Sequence, residues 1–194
     1  MGESWVRCWR KGGKRKVKRK KRRKLLAAVL AAAMLVPQSV VTAGAADLST
    51  AEPVYQVNGL EVTEPQEVSE SSADVLDLEH GTVNIRYRMA SENSGLTALY
   101  TVSQRSADTT YAAFYVKNDT VGLELRSGGS DLNSFTADNQ DVNDTEWHTL
   151  TWVFGETSTI LYVDGAQAAT SENTEFFSSV SDADTVAIGG LLRS

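Results

Sequence analysis

Beyond residue 46 the chain has almost no cations. Arg86, Arg88, Arg105, Lys117, Arg126 and Arg193 stand there against 24 Asp and Glu, a net charge of −18. A surface that acidic repels nucleic acid and anionic lipid, which speaks against both as partners, and it favours solubility. Cysteine is scarcer still: Cys8 is the only one in 194 residues. A disulfide within the chain and a Cys-based metal site are therefore excluded, and stability must come from a core. Proline occurs three times and never beyond Pro65, so later strands keep every backbone donor. No window carries a helical stripe of apolar residues, and no internal repeat marks a propeller or solenoid. No pair of carboxylates has a spacing that singles it out as a glycosidase acid and nucleophile. His80 and His148 lack the spacing of metal ligands and read as surface or turn residues. Asp138, Asp141 and Asp144 read as acidic turns, so neither a metal nor a cofactor is expected.

The missing cations are concentrated at the other end. Arg7 to Lys24 holds 13 of the 19 Lys and Arg, and an apolar run of about 12 residues, Leu25 to Val36, follows at once. A membrane-spanning helix needs roughly 20 apolar residues. The order of basic head, short apolar run and small residues at Thr42 to Ala46 is that of a secretory signal cleaved after Ala45 or Ala46. Residues 1–46 are thus expected to be a leader, 47–53 a polar linker and 54–194 one domain. The long basic head resembles the signals of Gram-positive bacterial surface and secreted proteins, which implies secretion or display at the cell surface.

The 148 residues after position 46 alternate. From Gly81 to Met89, Val83, Ile85, Tyr87 and Met89 share one face, and Asn84, Arg86 and Arg88 the other. That is the period of a half-buried strand. Similar segments recur at 98–103, 111–116, 121–126, 147–154, 159–163 and 185–188. Asn118-Asp119 and Asp164-Gly165 supply residues that tolerate positive backbone angles in tight hairpins. The expectation is an all-β, antiparallel two-sheet sandwich.

Register follows from one turn. If Asn118-Asp119 is a two-residue loop, Lys117 pairs with Thr120, and Val116, Phe114 and Ala112 face Val121, Leu123 and Leu125. Those six residues form a core face. The opposite face carries Tyr111, Ala113 and Tyr115 beside Gly122, Glu124 and Arg126, which are the parts of a small polar binding site. The Arg fork suits a planar carboxylate, Glu124 can accept from a hydroxyl, amide or amine, and Tyr115 offers a ring and a hydroxyl. The plainer reading is a surface ion pair two residues apart on one strand, contributing roughly 0 to 1 kcal/mol.

The order Leu-Glu-His-Gly-Thr-Val-Asn-Ile-Arg-Tyr-Arg from Leu78, then 96–103, Tyr115-Val116, and Gly122-Leu123-Glu124-Leu125-Arg126, resembles the N-terminal domain of bacterial sialidases. That domain is a family 40 carbohydrate-binding module with a concanavalin-like jelly-roll fold. The resemblance spans about residues 54–194 and implies binding of sialylated glycans. By position it assigns the sialic acid carboxylate to Arg126 and Arg193, the amine-derived group and hydroxyls to Glu124, and the rest of the pocket to Tyr115 and Leu96. It implies no catalytic residue here. The family's further ligand-contacting turn, closing strands and catalytic propeller would follow Arg193, so the chain is expected to be a fragment of an exo-α-sialidase whose enzyme domain lies downstream. Trp147 to Leu150 and Leu161 to Gly165 also occur in laminin-G-like adhesion domains, which bind protein or other glycans. A concanavalin-like glycoside hydrolase would need a run such as Glu-x-Asp-x-Glu, which this chain lacks.

Overall fold

The alternating segments become antiparallel strands in two sheets. The computed structural model describes residues 5–10, 55–68 and 72–193, all within one unit, with the backbone alone for 5–10 and 72–73. In chain order the strands are β1 Trp5–Arg10, β2 Tyr55–Asn58, β3 Gln66–Glu67, β4 Gly81–Tyr87, β5 Leu96–Ser103 and β6 Tyr111–Lys117. They continue as β7 Thr120–Ser127, β8 Ser130–Asp131, β9 Phe135–Ala137, β10 His148–Phe154, β11 Thr159–Val163, β12 Ala166–Ser171 and β13 Thr185–Ile188. One sheet runs β12-β11-β10-β4-β1-β2; the other runs β3-β13-β5-β6-β7-β8, with β9 also pairing β7. The only helices among the described residues are short, α1 at Ser72–Leu76 and a 3-10 turn at Phe177–Ser179.

Alternation decides what each sheet buries. Ile85 of β4 lies opposite Leu150 of β10, and Val83 opposite Trp152, all at 2% exposure or less. From the second sheet Phe114 reaches across to Trp152, edge to face with centroids 5.0 Å apart. Phe176 stacks on Phe154 at 4.1 Å and on Phe177 at 4.0 Å, closing one end of the core. Each such side chain contributes roughly 1.5–3 kcal/mol through apolar burial. Without disulfides, this aromatic layer is what holds the sheets together.

The hairpin turns are those the residue types require. Asn118 (φ 51°), Asp164 (φ 48°) and Gly165 (φ 82°) all take the left-handed region. Several strands are shorter than alternation can reveal: β3 and β8 have two residues each and β9 three. Of the leader expected over 1–46, only Trp5–Arg10 lies among the described residues, as β1 between β2 and β4, with Val6 in register with Val57 and Ile85. The apolar run, the cleavage positions and the linker 47–53 lie outside the described residues.

His148 is a correction. It is 7% exposed, not a surface histidine, because it starts β10 on the core side opposite Tyr87. Its Nδ1 lies 2.8 Å from Asp164 Oδ2 and its Nε2 3.0 Å from Asp144 Oδ1. Asp164 also accepts from the Thr149 amide and Asp144 from that of Glu146. Burial alone would lower the His148 pKa, but the hydrogen bonds to Asp164 and Asp144 and their charges together raise it. The sequence offered no sign of this clamp, since its carboxylates come from a loop and from a hairpin tip.

Candidate functional site

The site stands on the outward face of the β6–β7 hairpin. The register is the one counted from Asn118-Asp119: Lys117 with Thr120, Tyr115 with Gly122, Ala113 with Glu124 and Tyr111 with Arg126. Tyr111, Ala113, Tyr115, Gly122, Glu124 and Arg126 therefore share one face. The glycine has a reason that the sequence did not disclose. A Cβ at Gly122 would stand 2.2 Å from Cζ of Tyr115, so the Tyr115 ring lies across the glycine and fills the space expected to be left for a ligand.

Arg126 and Glu124 are a third exposed or slightly more, and their side chains meet, Nη1 donating to Oε1 at 3.3 Å. Nη2 of Arg126 donates to the Gly129 carbonyl at 3.1 Å, which holds the guanidinium over the strand. Its Nε has no partner among the described residues. Burial raises the pKa of the Tyr111 phenol; Glu124 raises it further, whereas Arg126 and Arg193 oppose the shift. Tyr115 is raised for the same first reason, then by the charges of Glu124 and Asp138. Both phenols are neutral hydrogen-bonding groups at physiological pH.

Arg193 reaches this face by a route that no strand pattern could indicate. After β13 the chain turns at Gly189 (φ 76°) and crosses the outer surface of β5 as a strap. Thr101 Oγ1 donates to the Gly190 carbonyl and Ser103 Oγ to that of Leu192, each at 2.8 Å. The two glycines are required where the strap passes the 60–65 segment, because a Cβ would fall 2.1 Å from Val62 at Gly189 and 2.3 Å from Pro65 at Gly190. The strap delivers the Arg193 guanidinium to the Tyr111 ring, 5.0 Å from its centroid, where Nη1 donates to the Asp108 carbonyl. Tyr111 thus links Arg193 to Glu124 and Arg126, a bridging position that sequence reasoning placed on the face without assigning it a role.

Leu96 shares the same face at the far end of β5, opposite Lys117, and is 54% exposed. By register it is one step diagonal from Tyr115. On the other side of Glu124 the sheet edge is notched. β8 pairs Asp131 with Arg126 and β9 pairs Phe135 with Leu123, so Glu124 has no ladder partner between them. A pocket of about 440 Å³ occupies the notch, lined by Glu124, Arg126 and Tyr115 on one side and by Asp131, Ser134 and Thr136 on the other. Among the described residues no group of three His, Cys, Asp or Glu is arranged to hold a metal ion.

A two-sheet antiparallel sandwich with a polar, aromatic-edged site on one outward face is a lectin-like β-sandwich. The family model described as the sialidase N-terminal domain matches residues 54–194, more than half of the chain. The chain belongs to that family, as a sialidase-associated domain. No curated protein matches the sequence. Among solved structures, the chain is similar to sheep galectin-11 in complex with glycerol, at 14% identity over 67% of this chain and 92% of that one, with a TM-score of 0.44. It is also similar to a native glycosidic hydrolase, at 11% identity over 56% of this chain and 55% of that one, with a TM-score of 0.38.

Proposed function

We propose that this domain binds sialic acid and serves as the targeting module of a secreted bacterial exo-α-sialidase, whose catalytic domain lies elsewhere in the parent protein. The observation that carries the reading is the strap: it brings a second guanidinium to Tyr111, on the face where Glu124 and Arg126 already meet. Two guanidiniums on one face bind a carboxylate by paired, charge-assisted hydrogen bonds, which local geometry makes available even in so acidic a chain. Glu124 accepts from the ligand's amide and hydroxyls, and Tyr115 and Leu96 supply apolar contact. Calorimetric titration with sialyllactose tests this. Saturable binding of sialyllactose and none of lactose is expected; equal binding of the two, or none at all, overturns it.

Export belongs to the same proposal, and rests on the order of basic head, apolar run and small residues in 1–46. Cleavage after Ala45 or Ala46 would take β1 out of its sheet and leave β2 and β4 with an unpaired ladder edge. N-terminal sequencing of the protein from culture medium is expected to begin at Ala46 or Asp47. An intact Met1 would contradict it.

A further inference from the structure

The notch beside β7 extends the site past Glu124 and Arg126 to the edge formed by β8 and β9. We propose that it binds the neutral sugar to which sialic acid is linked, so that the domain recognises a sialyl-hexose unit and discriminates against chains of sialic acid; this rests on the sialic-acid reading above.

The first support is position. In a sialoside the glycosidic oxygen and the carboxylate sit on the same carbon. A carboxylate held by Arg126 must therefore send its linked sugar away from beside Arg126. The residue directly across the sheet edge from Arg126 is Asp131, and the pocket of about 440 Å³ opens between them. That volume suits one hexose ring, being near the low end of the roughly 300–1,000 Å³ that small-molecule sites occupy.

The second support is chemistry. Thr136 lies opposite Gly122 and Asp131 opposite Arg126, so both belong to the ligand-facing side of the sheet. Both are exposed, and neither makes an ion pair among the described residues. Asp131 accepts hydrogen bonds and Thr136 donates or accepts, which is what the hydroxyls of a neutral sugar require. The acidic pair Glu124 and Asp131 flanks the same space with no cation beyond Arg126 in the lining. A second carboxylate would enter between like charges, and this selects against a second sialic acid.

The test is calorimetric titration of the 194-residue chain with three ligands: the methyl glycoside of sialic acid, sialyllactose and α2,8-linked disialic acid. Sialyllactose is expected to bind roughly five- to tenfold more tightly than the methyl glycoside, the effect of about one ordinary net hydrogen bond. Disialic acid is expected to gain nothing over the methyl glycoside. In D131A/T136A the ratio of sialyllactose to methyl glycoside affinity should fall to about one. Equal affinities in the unaltered chain, a ratio that the double substitution leaves in place, or a preference for disialic acid would each overturn the subsite while leaving the sialic-acid reading intact. Failure of all three ligands to bind would overturn both.

Discussion

The two faces of the β6–β7 hairpin share one backbone and one register yet have opposite fates. Inward, Ala112, Phe114, Val116, Val121, Leu123 and Leu125 are at 1% exposure or less and pack against the other sheet. Outward, Tyr111, Tyr115, Glu124 and Arg126 are held by one another, by a strap and by a turn carbonyl. The inward face is specified by volume, since any loss leaves a cavity. The outward face is specified by direction, since its groups matter only where their donors and acceptors point. Substitutions on the two faces should therefore separate stability from binding.

The largest expected effect is on the inward face. Phe114→Ala removes a ring that touches Tyr100, Trp152, Phe154 and Phe177. It should cost about 3–5 kcal/mol of stability by chemical denaturation, in line with core aromatic truncations. Arg126→Ala comes next and should do the reverse. Sialyllactose affinity is expected to fall roughly thirtyfold by calorimetry, about 2 kcal/mol, with the denaturation midpoint nearly unmoved. Gly122→Ala should fall between the faces: the new methyl displaces the Tyr115 ring, so affinity drops several-fold while the core is untouched.

A smaller effect distinguishes fold from site by pH. The His148 pKa is raised by Asp164 and Asp144 against the effect of burial, so its contribution to stability is fully present below the ordinary histidine value of 6.5 and is lost as pH rises through the raised value. The Asp144 pKa is lowered, first by the hydrogen bond from His148, so its share is present above its ordinary 3.8 and is lost as pH falls through the lowered value. The Tm difference between the unaltered chain and His148→Gln should be widest between those limits and shrink above pH 6.5.

The smallest expected effect uses the other sheet. Arg86 and Arg88 lie 4.6 and 5.3 Å from the centre of the Trp147 ring, also on an outward face. Their guanidiniums resemble Arg126 in charge but, among the described residues, make no ion pair like that of Arg126 with Glu124. R86A/R88A should change sialyllactose affinity by less than about twofold, because charges beyond a Debye length act weakly through salt.

The contrast also explains what the sequence made legible. A two-residue turn at Asn118-Asp119 sets the register, and period two then assigns every residue of β6 and β7 to a face, which is how the Glu124/Arg126 pair was found. The segments 159–163 and 185–188 are strands over those same residues. Short elements escaped for a physical reason, since two or three residues such as Ser130–Asp131 carry no measurable period. β12, Ala-Gln-Ala-Ala-Thr-Ser, lacks the large apolar residues that would mark a buried face. Arg193 was reached through the family resemblance, because it lies in a strap whose hydrogen bonds to Thr101 and Ser103 join residues 89 apart. The notch at Asp131 and Thr136 is set by where β8 stops and β9 starts, a tertiary property that no local pattern encodes.

The central claim is that guanidiniums from β7 and from the strap take hold of one carboxylate. Its most direct test is calorimetric titration with sialyllactose and with the methyl ester of its carboxyl group, which keeps every hydroxyl and the amide but removes the charge. Binding of the acid and loss of at least tenfold in affinity for the ester is the predicted result, since a charge-assisted contact becomes a neutral one. Equal affinity for the two would contradict the account.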